Sequence, residues 1–397
     1  MKVLITTDWY QPVVNGVVTS VMNLKEELTR QGHEVRILTL SADGQSRETE
    51  DVLYLGSLNI GRIYPNARMR VFPVRKWLEK LAAWGPDVVH SQCEFSTFSI
   101  AKKMAAYLNI PLVHTYHTIY EDYTHYFSPN RAMGRLAAEI FSRHVCSQAD
   151  AIIAPSQKVE NLLTDYGIYR PIRVIPTGIN LDPFLAPVVD KRALRKGLGL
   201  PEEGCLLMYV GRLAKEKNLE SVFETLSDWK HQIGTLPLKL VVVGDGPNGE
   251  SLRALHHRLG LEEVVLFTGM VAPEQVADYY HAGDAFVTAS ESETQGLTYM
   301  EALASGLPVV CREDDCVKEL IVSGQNGYTY KTEDGLLEAL KALCSMDRKA
   351  YCHMAQAARK SALPYSAQIF EQAVAALYDE AIGAHQGVGR FLIGKVA

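Results

Sequence analysis

No run of about 18 apolar residues occurs anywhere in this chain, so no membrane-spanning helix is expected. Cysteine is sparse and unpatterned. Cys93, Cys146, Cys205, Cys311, Cys316, Cys344 and Cys352 are odd in number and contain no C-x-x-C pair. That argues against a disulfide framework or a zinc site and reads as reduced thiols in a cytosolic protein. The opening MKVLITTDWYQP lacks an apolar signal core with a small-residue cleavage site, and reads instead as the first strand of a domain. No G-x-G-x-x-G step follows that strand, which disfavours a bound dinucleotide. Positive charge is in slight deficit, 40 Lys and Arg against 46 Asp and Glu for a net charge of −6, so nothing draws the chain in bulk to nucleic acid. Internal repeats and low-complexity segments are missing as well.

What is present is ordinary globular material. The 397 residues are 47% hydrophobic and 22% charged, and the length suits two or three domains. Apolar runs alternate with helical patterns. Strands are expected at 2–7, 34–40, 87–92, 111–117, 151–156 and 172–176, with a helix at 16–31. The rhythm restarts after Gly178, with strands at 205–211, 238–244, 264–269, 284–289 and 308–311. Between them, 180–204 reads as a linker and a short helix, and a long helical pattern at 366–382 follows Pro364. This rhythm predicts an α/β chain of two doubly wound parallel sheets with helices on both faces. Two such units joined once would leave a ligand cleft beyond their strand ends.

The organising stretch is 289–308, ASESETQGLTYMEALASGLP. A strand ends in small and acidic residues, Glu293 and Gly296 follow, and an amphipathic helix carrying Glu301 runs from Leu297 until Gly306 and Pro308 stop it. Gly296 lets backbone approach a ligand closely, and the helix N-terminus behind it suits a phosphate. Carboxylates beside a phosphate serve as acceptors for sugar or ribose hydroxyls. After the 205–211 strand, Gly211-Arg212-Leu213-Ala214-Lys215-Glu216-Lys217-Asn218 offers a guanidinium fork and a point charge that can face one anion. Asn15-Gly16 is a turn pair before a helix, a second phosphate cradle. At another strand end, VHTYHTIYEDYTHY (113–126) is rich in hydrogen-bonding rings and contains His117-Thr118. Val243-Gly244-Asp245-Gly246-Pro247 reads as a tight turn before it reads as a ligand contact.

Taken together and in this order, the motifs resemble the retaining nucleotide-sugar glycosyltransferases of GT-B architecture, over residues 3 to about 380. HTIYEDYTHY, GVVTSVMNLKEELTRQGHEV and Ile175-Pro176-Thr177-Gly178-Ile179 are similar to the bacterial diacylglycerol glucosyltransferases; many other relatives have Asn where Thr177 stands. The resemblance implies two Rossmann-like domains facing a cleft: an acceptor-binding domain at 1–177, a nucleotide-sugar domain at 178–364, and a helix at 365–397 crossing back to the first. It implies that Arg212 and Lys217 hold the diphosphate together with the Gly16 and Gly211 loops. Glu293, with Gly296 and Leu297, would meet the donor sugar, and Glu301 the ribose. Gly269 and Met270 would line the nucleobase pocket, and His117 would lie against the transferred sugar. His117, Arg212, Lys217 and Glu293 are thus the expected catalytic residues. The implied reaction is a hexosyl transfer with retention, from UDP-glucose to the free hydroxyl of diacylglycerol. Another nucleotide sugar, or a soluble or polyprenyl acceptor, is the first alternative; a nucleotide-sugar epimerase on the same fold is the second. A retaining glycoside hydrolase would also need two carboxylates but has no use for a phosphate clamp. No metal ligand set is expected, Glu313-Asp314-Asp315 reading as a loop and helix cap. No cofactor beyond the UDP-sugar substrate is required, with divalent-cation stimulation the one allowance.

One stretch is local to this chain. From Val52 to Leu78 there is no acid, while Arg62, Arg68, Arg70, Arg75 and Lys76 are interleaved with Tyr64, Phe72 and Trp77. That pattern suits an anionic membrane surface and places the protein peripherally on the inner face of the cell membrane. Farther on, Met133, Leu136, Ala137, Ile140 and Phe141 share one helical face, opposite Arg131, Arg135 and Arg143 with Glu139 between them. This reads as a core-packed helix with a solvated side.

Overall fold

The computed structural model describes residues 1–13, 15–59, 68–70, 75–121, 130–188 and 190–393, with the backbone alone at Arg131 and at 387–393. The chain forms two units, one of Met1–Gly178 with the segment from Ala367 onward, the other of Ile179–Ser366.

The first unit runs β1 (Lys2–Thr6), α1 (Gly16–Arg30), β2 (Glu34–Leu40), β3 (Arg47–Glu48), β4 (Val52–Leu55), β5 (Ser57–Asn59), β6 (Arg68–Arg70) and α2 (Arg75–Trp84). It continues through β7 (Val88–Ser91), α3 (Ser96–Leu108), β8 (Leu112–Thr115), α4 (Arg131–Cys146), β9 (Ala151–Ala154), α5 (Gln157–Asp165) and β10 (Ile172–Val174). The main sheet has the order β10-β9-β8-β7-β1-β2-β4-β3. Its pairings are parallel except for the two-residue edge strand β3 on β4. Strands buried on both faces read as continuous apolar runs, and successive side chains of β1 go to opposite cores. Val3 and Ile5 pack with α1 residues Val21, Leu24 and Leu28, whereas Leu4 joins Val89, Phe98 and Met104 on the other side. Each such fully buried side chain stabilises the fold by roughly 1.5–3 kcal/mol. Asn15 starts α1 by accepting the Val18 N–H at 2.9 Å.

The second unit opens with α6 (Asp182–Leu185) and α7 (Lys191–Gly197), then β11 (Cys205–Val210), α8 (Leu219–Ile233), β12 (Leu238–Val243), α9 (Gly249–Arg258), β13 (Val265–Gly269) and α10 (Val276–Ala282). β14 (Ala285–Thr288), α11 (Leu297–Ala304), β15 (Val309–Arg312), β16 (Gly327–Tyr330), α12 (Glu333–Cys344) and α13 (Arg348–Ala362) complete it. Its sheet, β13-β12-β11-β14-β15-β16, is parallel throughout. The last helix, α14 (Ala367–Ile393), belongs to the first unit, where Phe370, Val374, Leu377 and Tyr378 enter the α1 core. Sequence reading gave the central strands within a residue or two. It missed β3, β4, β5, β6 and β16, all of them short; β4, Val-Leu-Tyr-Leu, is apolar all the same, while the others are too polar to stand out from loops.

Candidate active site

In the second unit the strand order turns about β11 and β14, the place where a doubly wound sheet parts its loops and binds ligands. The loop after β11 carries Arg212 and Lys217; the loop after β14 carries Glu293 and Gly296. Lys217 Nζ donates to Glu293 Oε1 at 2.6 Å, joining the two loops across that point, with side chains only 21% and 14% exposed. Arg212 bonds the nearly buried carboxylate of Glu216 while its own side chain stays 41% exposed. Two cations are therefore held in place by carboxylates yet keep a solvent-facing side. Gly296 sits in the left-handed region at φ 78°, and a Cβ there would lie 2.5 Å from Tyr299, so only glycine fits ahead of α11. One turn into α11, Glu301 Oε2 accepts the Tyr280 hydroxyl at 2.8 Å. Burial pushes its carboxyl up to about 7, against the lowering effect of that bond.

Gly244 and Gly246 turn out to support this site from behind. A Cβ on Gly244 would sit 2.1 Å from the Gly211 carbonyl oxygen, and one on Gly246 2.4 Å from that of Leu213. Leu213 N–H donates to Asp245 O at 3.0 Å, so the second loop braces the Arg212 loop. Gly269 ends β13 and Met270 follows it, 67% exposed.

In the first unit the order turns between β1 and β7. Asp8 follows β1; Gln92 and Glu94 follow β7; His117 follows β8. His117 Nε2 lies 2.7 Å from Gln92 Oε1, and burial, then neighbouring His114, push the imidazole down to about 3. It is a neutral ring at physiological pH. Asp8 accepts the Thr97 N–H at 2.8 Å, and burial pushes its carboxyl up to about 6. Glu94 accepts the Tyr120 hydroxyl at 2.6 Å on one oxygen; the other lies 3.6 Å from His114 Nε2 and makes no hydrogen bond to a described residue. Gly16 is the exposed first residue of α1.

Two family models match the chain, one in each unit. Residues 14–183 match "Glycosyltransferase Family 4" and residues 190–361 match "Glycosyl transferases group 1". An alpha-monoglucosyldiacylglycerol synthase of Streptococcus pneumoniae is 37% identical over 355 residues, 87% of this chain and 80% of the relative. A synthase of the same name from Acholeplasma laidlawii is 30% identical over 95% of this chain and 96% of its own. The chain belongs to this glycosyltransferase family. Among solved structures, a sucrose-phosphate synthase from Thermosynechococcus elongatus superposes with a TM-score of 0.78 at 21% identity, covering 96% of this chain and 99% of its own. Anabaena HepE, solved in complex with UDP-glucose, superposes at 0.74 with 19% identity, covering 96% and 100%. The glycosyltransferase thus has the GT-B fold of two Rossmann-like domains.

For this glycosyltransferase, several polar residues that build the two sites escaped sequence reading. Gln92, Glu94 and Tyr280 meet their partners 25, 26 and 21 positions away, through the order of the elements rather than a motif, whereas Glu216 lies within the Arg212 motif, 4 positions on. Glu313-Asp314-Asp315 opens a turn and not a helix: Asp314 Oδ1 accepts the Cys316 N–H at 2.8 Å. Two expectations about the surface also change. In α4 the core-facing stripe is made of small residues, Gly134, Ala138 and Ser142, with Ser142 Oγ 2.6 Å from the Tyr116 hydroxyl. Met133, Leu136 and Ile140 point outward, 67%, 56% and 58% exposed, contrary to a core-packed face, and of the expected large apolar side chains only Phe141 packs on the core. In the basic stretch, Trp77 packs on the core instead of standing free. Arg68 is spent on Ser57, at 2.7 Å to Oγ and 3.1 Å to the carbonyl oxygen, while Arg75 and Lys76 are exposed. Arg62, Tyr64 and Phe72, and 122–129 of the ring-rich phrase, lie outside the described residues.

Proposed function

We propose that the enzyme moves glucose from UDP-glucose to the free hydroxyl of diacylglycerol with retention, forming an α-glucosyl lipid. The observation that carries this reading is the Lys217–Glu293 pair at the turn of the second sheet, beside Arg212 and the Gly296 helix start. The relatives named as alpha-monoglucosyldiacylglycerol synthases support the choice of sugar and acceptor.

Departure of UDP leaves charge on phosphate oxygens. Arg212 and Lys217 stabilise that charge, a preorganised effect that operates as the bond breaks. Held by Glu216 and Glu293, their side chains are oriented before substrate arrives. Gly16 opens α1 with backbone N–H groups of the kind that suit phosphate. Glu301, close to half-ionised at neutral pH, accepts ribose hydroxyls, and Glu293 accepts those of the sugar. Neutral His117 accepts a hydrogen bond from a sugar hydroxyl.

A lipid acceptor requires the enzyme to reach a bilayer. The outward stripe of α4 supplies apolar contact, and stacked Phe95–Phe141, with centroids 5.6 Å apart, extends it to the start of α3. Ser96 Oγ accepts the Arg70 N–H at 3.2 Å, which links α3 to the β5–β6 ribbon where Leu58 and Met69 are 52% and 46% exposed. Arg70, Arg75 and Lys76 add attraction to an anionic leaflet. Glu79, Glu121 and Glu139 lie on the same unit and offset part of that charge through Arg75, Arg135 and Arg143. Vesicles containing diacylglycerol and anionic lipid, incubated with labelled UDP-glucose, test the whole reading. Labelled glycolipid is expected; transfer to soluble acceptors alone would replace it.

A further inference from the structure

Tyr378 lies on the last helix, far along the chain from any motif, yet its hydroxyl reaches into the first sheet. It sits 2.6 Å from His90 Nδ1, with the two rings edge to face at 5.5 Å. The other ring nitrogen of His90 lies 2.7 Å from Thr115 Oγ1. The Gln92 amide nitrogen is 3.1 Å from His90 Nδ1 and 3.0 Å from Nε2, and the Gln92 carbonyl oxygen is 2.7 Å from His117 Nε2. Tyr378 and His90 are 0% exposed, Gln92 1% and Thr115 2%, so water cannot substitute for a lost partner without rearrangement.

The donor and acceptor rules leave one consistent arrangement. Burial holds both His90 and His117 neutral, with His114 the other titratable group facing each, so each ring carries a single proton. His90 has hydroxyl partners on both nitrogens: it accepts from one and donates its only proton to the other. The Gln92 amide, nearly equidistant from both ring nitrogens, lies over the face of the His90 ring, which attracts N–H and repels a carbonyl oxygen, so the side of Gln92 beside His90 is its NH2. The Gln92 carbonyl then faces His117, and a carbonyl only accepts. His117 must therefore carry its proton on Nε2, leaving Nδ1 bare.

We propose that Tyr378, acting through His90 and Gln92, is a positioning residue that fixes His117 as the Nε2–H tautomer, so that Nδ1 is free to accept a hydrogen bond from a substrate hydroxyl. The catalytic half of this statement rests on the reading of His117 as the sugar-facing group. Without the Tyr378 hydroxyl the His90 ring is no longer pinned between two hydroxyls and can tilt, aiming an Nδ1–H at the Gln92 carbonyl. The amide then turns over, presents NH2 to His117, and drives the proton of His117 to Nδ1.

Nitrogen-15 histidine labelling of the full chain, read by long-range proton–nitrogen correlation, reports both tautomers directly. In the wild type His117 is expected to be protonated on Nε2. Tyr378→Phe keeps the ring against His90; His117 is expected to shift wholly or partly to Nδ1–H, with kcat falling about tenfold and KM for UDP-glucose changing little. Adding Gln92→Glu supplies an acceptor that cannot turn over, so the double variant is expected to regain Nε2–H at pH 8 and most of its kcat. It also gains an acidic limb in the pH profile, because a carboxylate raises the imidazole pKa. Gln92→Leu provides the same tautomer readout should Tyr378→Phe not fold. Retention of Nε2–H in both single variants would overturn the proposal. A tautomer shift with unchanged kcat would instead refute the sugar-facing role of His117 and the catalytic half with it, while the relay itself stands.

Discussion

The loops beyond β11 and β14 are held by ion pairs, Lys217 with Glu293 and Arg212 with Glu216. Beyond β1, β7 and β8 burial works against charge instead: it pushes His117 down to about 3, leaving a neutral ring, and Asp8 up to about 6. Both regions lie where a doubly wound sheet changes direction, so topology alone does not explain the contrast. Solvent access does. The Arg212 and Lys217 side chains keep partial exposure, whereas His90 and Asp8 are buried in the first unit and hold a charge only at a cost. One region suits a diphosphate; the other suits hydroxyls.

The largest expected effect breaks the charged side of this contrast. Lys217→Ala and Arg212→Ala should each cost about 2–4 kcal/mol of transition-state stabilisation, measured as kcat/KM, with the chain still folded. Removing Lys217 also leaves Glu293 without its cation in a mostly buried place, so the melting temperature should fall as well. Lys217→Met combined with Glu293→Gln should recover the melting temperature and not the activity. Recovery of both would make the pair a structural one.

A smaller effect concerns pH. Glu301, held at about 7, gains a proton as pH falls from 8 to 6 and loses its value as a charged acceptor. UDP affinity measured by calorimetry should drop several-fold over that range. In Glu301→Gln the affinity should be lower at pH 8 and nearly flat. An equally steep pH dependence in the variant would place the titration elsewhere.

Docking is the next test. Met133→Ser, Leu136→Ser and Ile140→Ser together should weaken binding to anionic vesicles by about 1 kcal/mol for each side chain that inserts, while UDP binding persists. Arg75→Ser with Lys76→Ser should act less strongly and mainly at low salt, where screening is weak. The reverse ranking would return docking to the basic stretch.

The smallest effect is on stability. Asp8 titrates near 6 when folded and near its ordinary 3.8 when unfolded, so between those values the folded chain holds the extra proton. Stability should therefore decline as pH rises from about 4 to about 6, by a few degrees in melting temperature. Asp8→Asn should flatten that slope.

The architecture and the charged site were legible in the sequence because both rest on local order: apolar runs give parallel strands, and glycine with a cation or carboxylate marks the loop behind each. The neutral site was legible only at His117. Gln92 becomes its partner because β7 lies beside β8, and Tyr378 reaches His90 from 288 positions away. The orientation of α4 failed for a different reason. An amphipathic pattern says that two faces differ, and the larger apolar face was assigned to the core; Gly134, Ala138 and Ser142 are buried instead, with Ser142 against the Tyr116 hydroxyl. The cations of the basic stretch were read as equivalent, but Arg68 is committed to Ser57 and Arg75 is not.

The central claim is that the charged site activates a UDP-sugar whose hexose passes to a lipid hydroxyl. The most direct measurement follows UDP release and glucolipid formation together, using UDP-glucose labelled in the sugar and vesicles with and without diacylglycerol. The account predicts UDP and α-glucosyl diacylglycerol in equal amounts, both dependent on diacylglycerol and both lost in Lys217→Ala. UDP-glucose consumed without UDP release would indicate an isomerase, and UDP release indifferent to diacylglycerol would indicate another acceptor; either result would contradict it.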